Sequence, residues 1–252
     1  MELTEIQNPP PDMPPSWAVW IQTHLRELFN ALRQLLIGIY VDEDGNTYIG
    51  DGGVTNYTKI EPNGTVEFHG DATVWDDLVL PLDSARVPAA NAPSWESFVG
   101  NLNAYAYDVD DFQEFTAELL HGYKEGSNFT FHIHGALNAT TAQEEKVQFE
   151  IEYSVANANT TTGIGDVFPD GSGALLTHEL VIPDATPDLS NIYITIGVDS
   201  AATFAIGATI KGRIRRIAKS AGGNELTGDI FVTQVGIHYE IDTVGSRTEL
   251  TK

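Results

Sequence analysis

From Leu102 onward the chain alternates. In "KVQFEIEYSV", Val147, Phe149, Ile151 and Tyr153 fall on one face and polar or charged residues on the other. That is the period-two signature of a strand with one side in a core. "NIYITIGV" sets Ile192, Ile194, Ile196 and Val198 together, and "ATIKGRIRRIA" sets Ile210, Gly212, Ile214 and Arg216 in one row before its pattern slips. Such runs predict strands over 102–109, 112–120, 128–137, 146–156, 174–182, 191–198, 203–217 and 229–242. Eight strands joined by turns, without intervening helices, predict an antiparallel β-sandwich, jelly-roll-like, over 102–252.

Upstream the texture differs. Residues 1–15 hold "NPPPDMPP", which blocks helix and favours an extended arm. Ser16 then caps a predicted helix to about Ile37. Its apolar residues Ile21, Leu25, Leu28, Leu32 and Leu35 alternate steps of four and three, the heptad step. Leu25 and Leu32 take a positions, Ile21, Leu28 and Leu35 take d, and Phe29 and Leu36 widen the stripe. This helix either packs on its own domain or associates with copies of itself as a short oligomerisation bundle. The proline arm before it and the β-rich chain after it offer no obvious helical partner, so the second reading is carried forward.

Between helix and sandwich, the turn pairs Asp44-Gly45 and Asn63-Gly64 punctuate short apolar runs. Residues 39–80 are expected to form a small β-meander or extended connector. Residues 81–101, "PLDSARVPAANAPSWESFVG", read as a linker with little regular structure. The expected divisions are thus 1–37, 38–101 and 102–252.

Composition narrows the partners. Of 252 residues, 36 are acidic and 13 are Lys or Arg, for a net charge of -23. Such a surface repels phosphate backbones, so nucleic acid is not an expected partner. It keeps a protein soluble in high salt and fits a halophilic or marine source. Cysteine is absent, which removes disulfides, thiolate-bound zinc and cysteine nucleophiles. No apolar run is long enough for membrane insertion and no export signal is evident.

Candidate chemistry is sparse. "FTFHIHG" (129–135) carries His132 and His134 two residues apart, hence on one strand face. Two imidazoles so placed suit a transition metal, within one chain or between subunits. The bland alternative is surface or structural histidines, because no third ligand stands at a diagnostic spacing. His121 and His178 could join only through the fold. "VDEDGNTYIGDGG" (41–53) has Asp42, Asp44 and Asn46 as in a calcium loop, but Thr47 stands where the turn glycine belongs and Gly53 where the bidentate glutamate belongs. An acidic β-turn is the expectation there. "KGRIRRIAK" (211–219) makes Arg213, Arg215 and Arg216 candidates for contact with an acidic partner, or for pairing with acidic strands of the same chain such as "FEIEY". Trp75, Trp95 and the tyrosines are candidates for stacking on host glycans, or for core. No nucleophile elbow, phosphate loop, dinucleotide fingerprint or zincin helix is present, and a non-enzyme is expected.

Two segments bear a likeness. "KIEPNGTVEFHGDATVWDDLVLPL" (59–82) and "VGIHYEIDTVGSRTELTK" (235–252), with the histidine strand between them, resemble uncharacterised virion structural proteins of tailed bacteriophages and related archaeal viruses. The resemblance spans about 45–252 and implies a virion location and a structural or appendage role. It transfers no catalytic residues. The order of arm, heptad helix, connector and sandwich independently suggests a projecting homo-oligomer, most simply a trimer, docked on capsid or other virion proteins through its N-terminal region. The roles expected are head fibre, turret or decoration protein. The alternative is a tail-fibre or spike module recognising host surface glycans, and the most distant is a glycan-degrading enzyme on the same scaffold.

Overall fold

The computed structural model describes residues 38–159, 161–169, 174–199 and 204–250, together with Val19, residues 21–26 and Leu28. Among them the strands are β1 (Ile39–Val41), β2 (Thr47–Gly50), β3 (Tyr57–Ile60), β4 (Val66–His69), β5 (Val74–Pro81), β6 (Ser94–Val99), β7 (Leu102–Tyr107), β8 (Phe112–Glu118), β9 (Phe129–Leu137), β10 (Glu145–Ala156), β11 (Ala174–Ile182), β12 (Asn191–Asp199), β13 (Thr209–Ile217), β14 (Asn224–Glu225) and β15 (Ile230–Ile241).

The eight long strands wrap as a jelly roll. β7 pairs with β15, β8 with β13, β9 with β12 and β10 with β11, all antiparallel. Pairing first with last, and so inward to a central hairpin, folds one long hairpin over itself into two facing sheets. One sheet runs β12-β9-β15-β7-β6, with β5 also on β15. The other runs β11-β10-β13-β8, with the short β14 beside β10.

The alternation seen in the sequence drives this closure. Phe129, Phe131 and Ile133 of β9, Val147, Phe149, Ile151 and Tyr153 of β10, and Val235, Ile237 and Tyr239 of β15 all enter one buried cluster. Each large side chain buried in this way contributes about 1.5–3 kcal/mol. Seven of the eight expected strands end within two residues of those observed. The eighth, expected from 203, begins at Thr209 because the chain turns at Gly207 (φ +72°), where Ala208 N–H donates to Ala205. Val198, expected inside, is exposed near the end of β12, beyond the register shift between Thr195 and Gly197.

Residues 81–101 depart from the expected linker. Ser94–Val99 forms β6, which extends the first sheet by pairing with β7. β5, expected in the connector, pairs with β15 from Gln234 to Ile241. The first sheet therefore crosses the boundary expected at residue 102.

Of the two readings of the arginine cluster, the contacts within the chain match pairing with its own acidic strand. Arg216 closes the inward row of β13, as the alternation placed it, and is fully buried. Its Nη1 donates to the carbonyls of Tyr107 and Gly228 at 2.8 Å each. Its Nη2 donates to the Leu226 carbonyl at 2.7 Å and pairs with Glu225 at 3.2 Å. A guanidinium so enclosed is out of a partner's reach. It serves as a polar plug that ties together the carbonyl at the end of β7 and two loop carbonyls. Arg213 pairs with Glu152 at 2.7 Å, and Arg215 with Glu150 at 3.1 Å. These are directly opposed positions on β13 and β10. The acidic partner expected for the cluster is thus found within the chain, on the neighbouring strand.

β1–β4 form a separate antiparallel meander. Its register sets two rows on one face: Ile39, Ile49, Thr58 and Phe68, then Val41, Thr47, Ile60 and Val66. No residue of these four strands is buried. β4 is tied to the chain leaving β15 by Phe68 N–H on the Asp242 carbonyl (2.6 Å) and by Thr243 Oγ1 on the Val66 carbonyl (2.8 Å). Asp42 accepts from the backbone N–H of Asp44 and Asn46, from Asn46 Nδ2 and from the Tyr48 hydroxyl. Its carboxylate thereby closes the β1–β2 turn.

Near the N-terminus, Val19, residues 21–26 and Leu28 are helical, and Thr23 Oγ1 donates to the Val19 carbonyl at 2.9 Å. Ile21 and Leu25 are half-buried, while Leu28 is exposed. Leu32, Leu35, Phe29, Leu36 and the proline arm lie outside the described residues.

Arg216→Met leaves three carbonyls and Glu225 without their buried cation, and is expected to cost about 3–5 kcal/mol. Arg213→Ala, at a half-exposed pair, should cost no more than about 1 kcal/mol. Equilibrium urea unfolding of both variants measures the contrast.

Candidate functional site

On β9 the odd positions face the core, so Thr130, His132 and His134 face outward. On β15 the same logic sends Gly236 and His238 outward. β5, antiparallel to β15, places Asp77 directly opposite His238. β9, on the other edge of β15, places His132 opposite Gly236. Three adjacent strands thereby converge Asp77, His132 and His238 on the outer face of the first sheet. One donor atom from each lies within 4.8 Å of the others.

The geometry is tight but unbonded. Nε2 of His132 and Nε2 of His238 each stand 3.5 Å from the same Asp77 oxygen, Oδ2. The His132 and His238 ring centroids are 4.3 Å apart. His132 is fully buried even on this outer face, because its ring lies on the bare backbone of Gly236. A Cβ there would meet His132 Nε2 at 2.1 Å. His134 and Tyr193 close the other side, with centroids 5.1 and 4.9 Å from His132. Neither His132 ring nitrogen has a hydrogen-bond partner, nor has Asp77 Oδ1. Buried polar atoms in this condition are uncommon and call for an explanation.

Of the histidine pair read from the sequence, His132 sits in this cluster, while His134 stands beside it as a wall. His121 and His178 do not join it: His121 Nδ1 is 2.5 Å from the Ser246 hydroxyl, and His178 pairs across from Phe149 on the opposite sheet. Asp77 and His238 were missed. Each sits at an outward position of an alternating strand, "VWDDLVLP" and "VGIHYEI", and those strands belong to the two segments that carry the virion-protein resemblance.

Elsewhere, a cleft of about 500 Å³ opens between the meander and the chain after β15. Glu61, Glu67, His69, Lys124 and Arg247 are among its lining residues. None of the candidate site residues read from the sequence lines it. Trp75 and Trp95 are 59% and 50% exposed, and Trp95 packs on Tyr105 with centroids 4.7 Å apart. No helix among the described residues is long and apolar enough to cross a membrane.

Comparison with known proteins gives little. No protein-family model matches the chain, and no curated protein matches it. Among solved structures, one of infectious bursal disease virus Gt strain is similar over 81% of this chain and 68% of that chain, at 8% identity and a TM-score of 0.20. One of an IBDV viral particle is similar over 82% and 79%, at 9% identity and a TM-score of 0.10.

Burial pushes the His132 imidazole down to about 4; the Asp77 carboxylate opposes that shift, and His238 and His134 add to it. The unfolded chain then takes up a proton near pH 6.5 that the folded chain refuses until about pH 4. The part of the stability that comes from keeping this ring neutral is therefore fully present above about pH 6.5 and is lost as pH falls towards 4. In chelator-treated protein, the decline between these limits should be steeper in wild type than in His132→Gln, by urea unfolding at stepped pH. Equal slopes would mean that the ring titrates as in solvent.

Proposed function

We propose that the protein is a non-enzymatic structural component of a virus particle. It acts as a homo-oligomer, most simply a trimer, whose N-terminal region docks and associates while the jelly roll projects. Head fibre, turret or decoration protein are the roles that fit. The observation that carries this reading is the uncovered face of the β1–β4 meander. Six of the eight residues in its two rows are apolar, and Ile39, Val41 and Ile49 are exposed. A small sheet gains stability by covering such a face. Its occupant in this reading is the same face of another copy. The rows begin directly after Gly38, where the leucine-striped segment ends, and Leu28 of that segment also exposes its side chain. Two consecutive stretches with unpartnered apolar residues are explained by one shared axis of association.

The virion resemblance supports the location. Its two segments are not scattered but paired, as β5 with β15 and as β4 with the chain after β15. The acidic surface suits a particle exterior and not a nucleic-acid contact. The exposed Trp75 and Trp95 favour a second reading, in which the projecting domain stacks on host glycans.

In light scattering coupled to size exclusion, the full chain should run at a multiple of 27.4 kDa. Deletion of residues 1–37 combined with Val41→Glu and Ile49→Glu should return it to the single-chain mass with its circular dichroism unchanged. A full chain that runs at the single-chain mass overturns the oligomer. Antibody labelling of purified particles tests the location, and absence of label from particles made by cells that contain the protein overturns it.

A further inference from the structure

Asp77, His132 and His238 make a ligand set that the particle role neither requires nor explains. We propose that these three side chains bind one divalent first-row transition ion, of which zinc is the best fit, on the outer face of the first sheet.

Geometry is the first support. An ion bound at about 2.0–2.1 Å to imidazole nitrogen and carboxylate oxygen in tetrahedral array keeps its ligand atoms about 3.3 Å apart. The two Nε2–Oδ2 separations here are both 3.5 Å. That is too long for a good hydrogen bond and close to the spacing of two ligands on one ion. The unpartnered atoms are the second support. His132 is fully buried, with both ring nitrogens unbonded, and Asp77 Oδ1 is buried and unbonded beside it. A cation between Oδ2 and the two Nε2 atoms supplies the missing partner for His132 Nε2. The scaffold is the third. The ligands come from three adjacent strands, and Gly236 leaves the floor on which the His132 ring lies. Such a platform holds donors more firmly than loops do.

The donor chemistry selects the ion. Two imidazoles and one carboxylate favour zinc, copper, nickel or ferrous iron over calcium and magnesium, which prefer all-oxygen shells. Three protein ligands leave a coordination position open. It faces solvent, because the Asp77 and His238 side chains are 34% and 39% exposed while His132 forms the buried side. Trp75 and Val79 flank Asp77 on the same face of β5, and both are exposed. The open position is thus rimmed by apolar surface.

The test uses the full chain, stripped with chelator and titrated with zinc chloride by calorimetry, and with cobalt(II) by visible absorption. The expected result is one equivalent per chain, with cobalt bands of tetrahedral intensity. Asp77→Asn and His238→Gln change half-exposed residues and should leave the circular dichroism and melting profile intact. Each should weaken zinc binding by more than about tenfold, since even changes outside the ligand shell can cost that much. His134→Gln should bind as wild type does. Excess calcium should not compete. The proposal is overturned if wild type takes up no stoichiometric zinc, or if Asp77→Asn and His238→Gln bind normally. Loss in His134→Gln alone, or equal competition by calcium, overturns it as well. Because the readout is made on isolated protein, its failure leaves the particle role untouched, and failure of the particle role leaves the metal site untouched.

Discussion

The register of β15 is the constraint on which the rest of this molecule depends. One edge pairs with β9 along nearly its whole length, and the other is shared between β7 at its start and β5 beyond. Val235, Ile237 and Tyr239 point into the core, so Gly236 and His238 point out. A slip of one residue would move every inward side chain to solvent and bring the imidazole inside. The cost of exposing that core holds the outward residues where they are. The same pairing closes the jelly roll, seats β5 and brings Asp77 opposite His238. Core and candidate site are two faces of one hydrogen-bonded ladder.

Charge is managed by a similar economy of position. The net charge of -23 would strain any compact state through self-repulsion. Many of the scarce cations of the described residues are placed where they meet an anion. Arg213 and Arg215 face Glu152 and Glu150 across adjacent strands, and Lys146 meets Glu179 at 2.7 Å. Bonds from Lys146 and Ser220 hold the Glu179 carboxyl down at about 2. Arg216 plugs the end of the core. The excess of acidic residues left over opposes close approach of copies in general.

Two kinds of unsatisfied surface then define what the protein can do. Among the described residues, the meander leaves Ile39, Val41 and Ile49 of its apolar rows exposed, and the outer sheet brings Asp77, His132 and His238 together without a hydrogen bond to either His132 ring nitrogen. The first is the basis of the proposed association and the second of the proposed metal site. They lie on different sheets, so association and metal binding can be read separately.

Much of the sandwich was legible in the sequence because period-two alternation is a local property, written within each strand and read without knowing its neighbours. His132 was legible as a candidate for the same reason. The rest was settled at longer range. β6 hides in a stretch rich in proline and alanine, and becomes a strand because β7 offers it an edge. Alternation alone put Arg216 in the inward row of β13, but only the fold shows what encloses its guanidinium, the carbonyls of Tyr107, Leu226 and Gly228. Asp77 and His238 carry no local mark at all, since a lone carboxylate or imidazole on an outward strand position is ordinary. They meet His132 because strand order, a property of the whole wrapped chain, sets β5, β15 and β9 side by side. Sequence determined which faces are apolar; tertiary structure decided which polar groups share a face, because burial preference acts residue by residue while adjacency between strands does not.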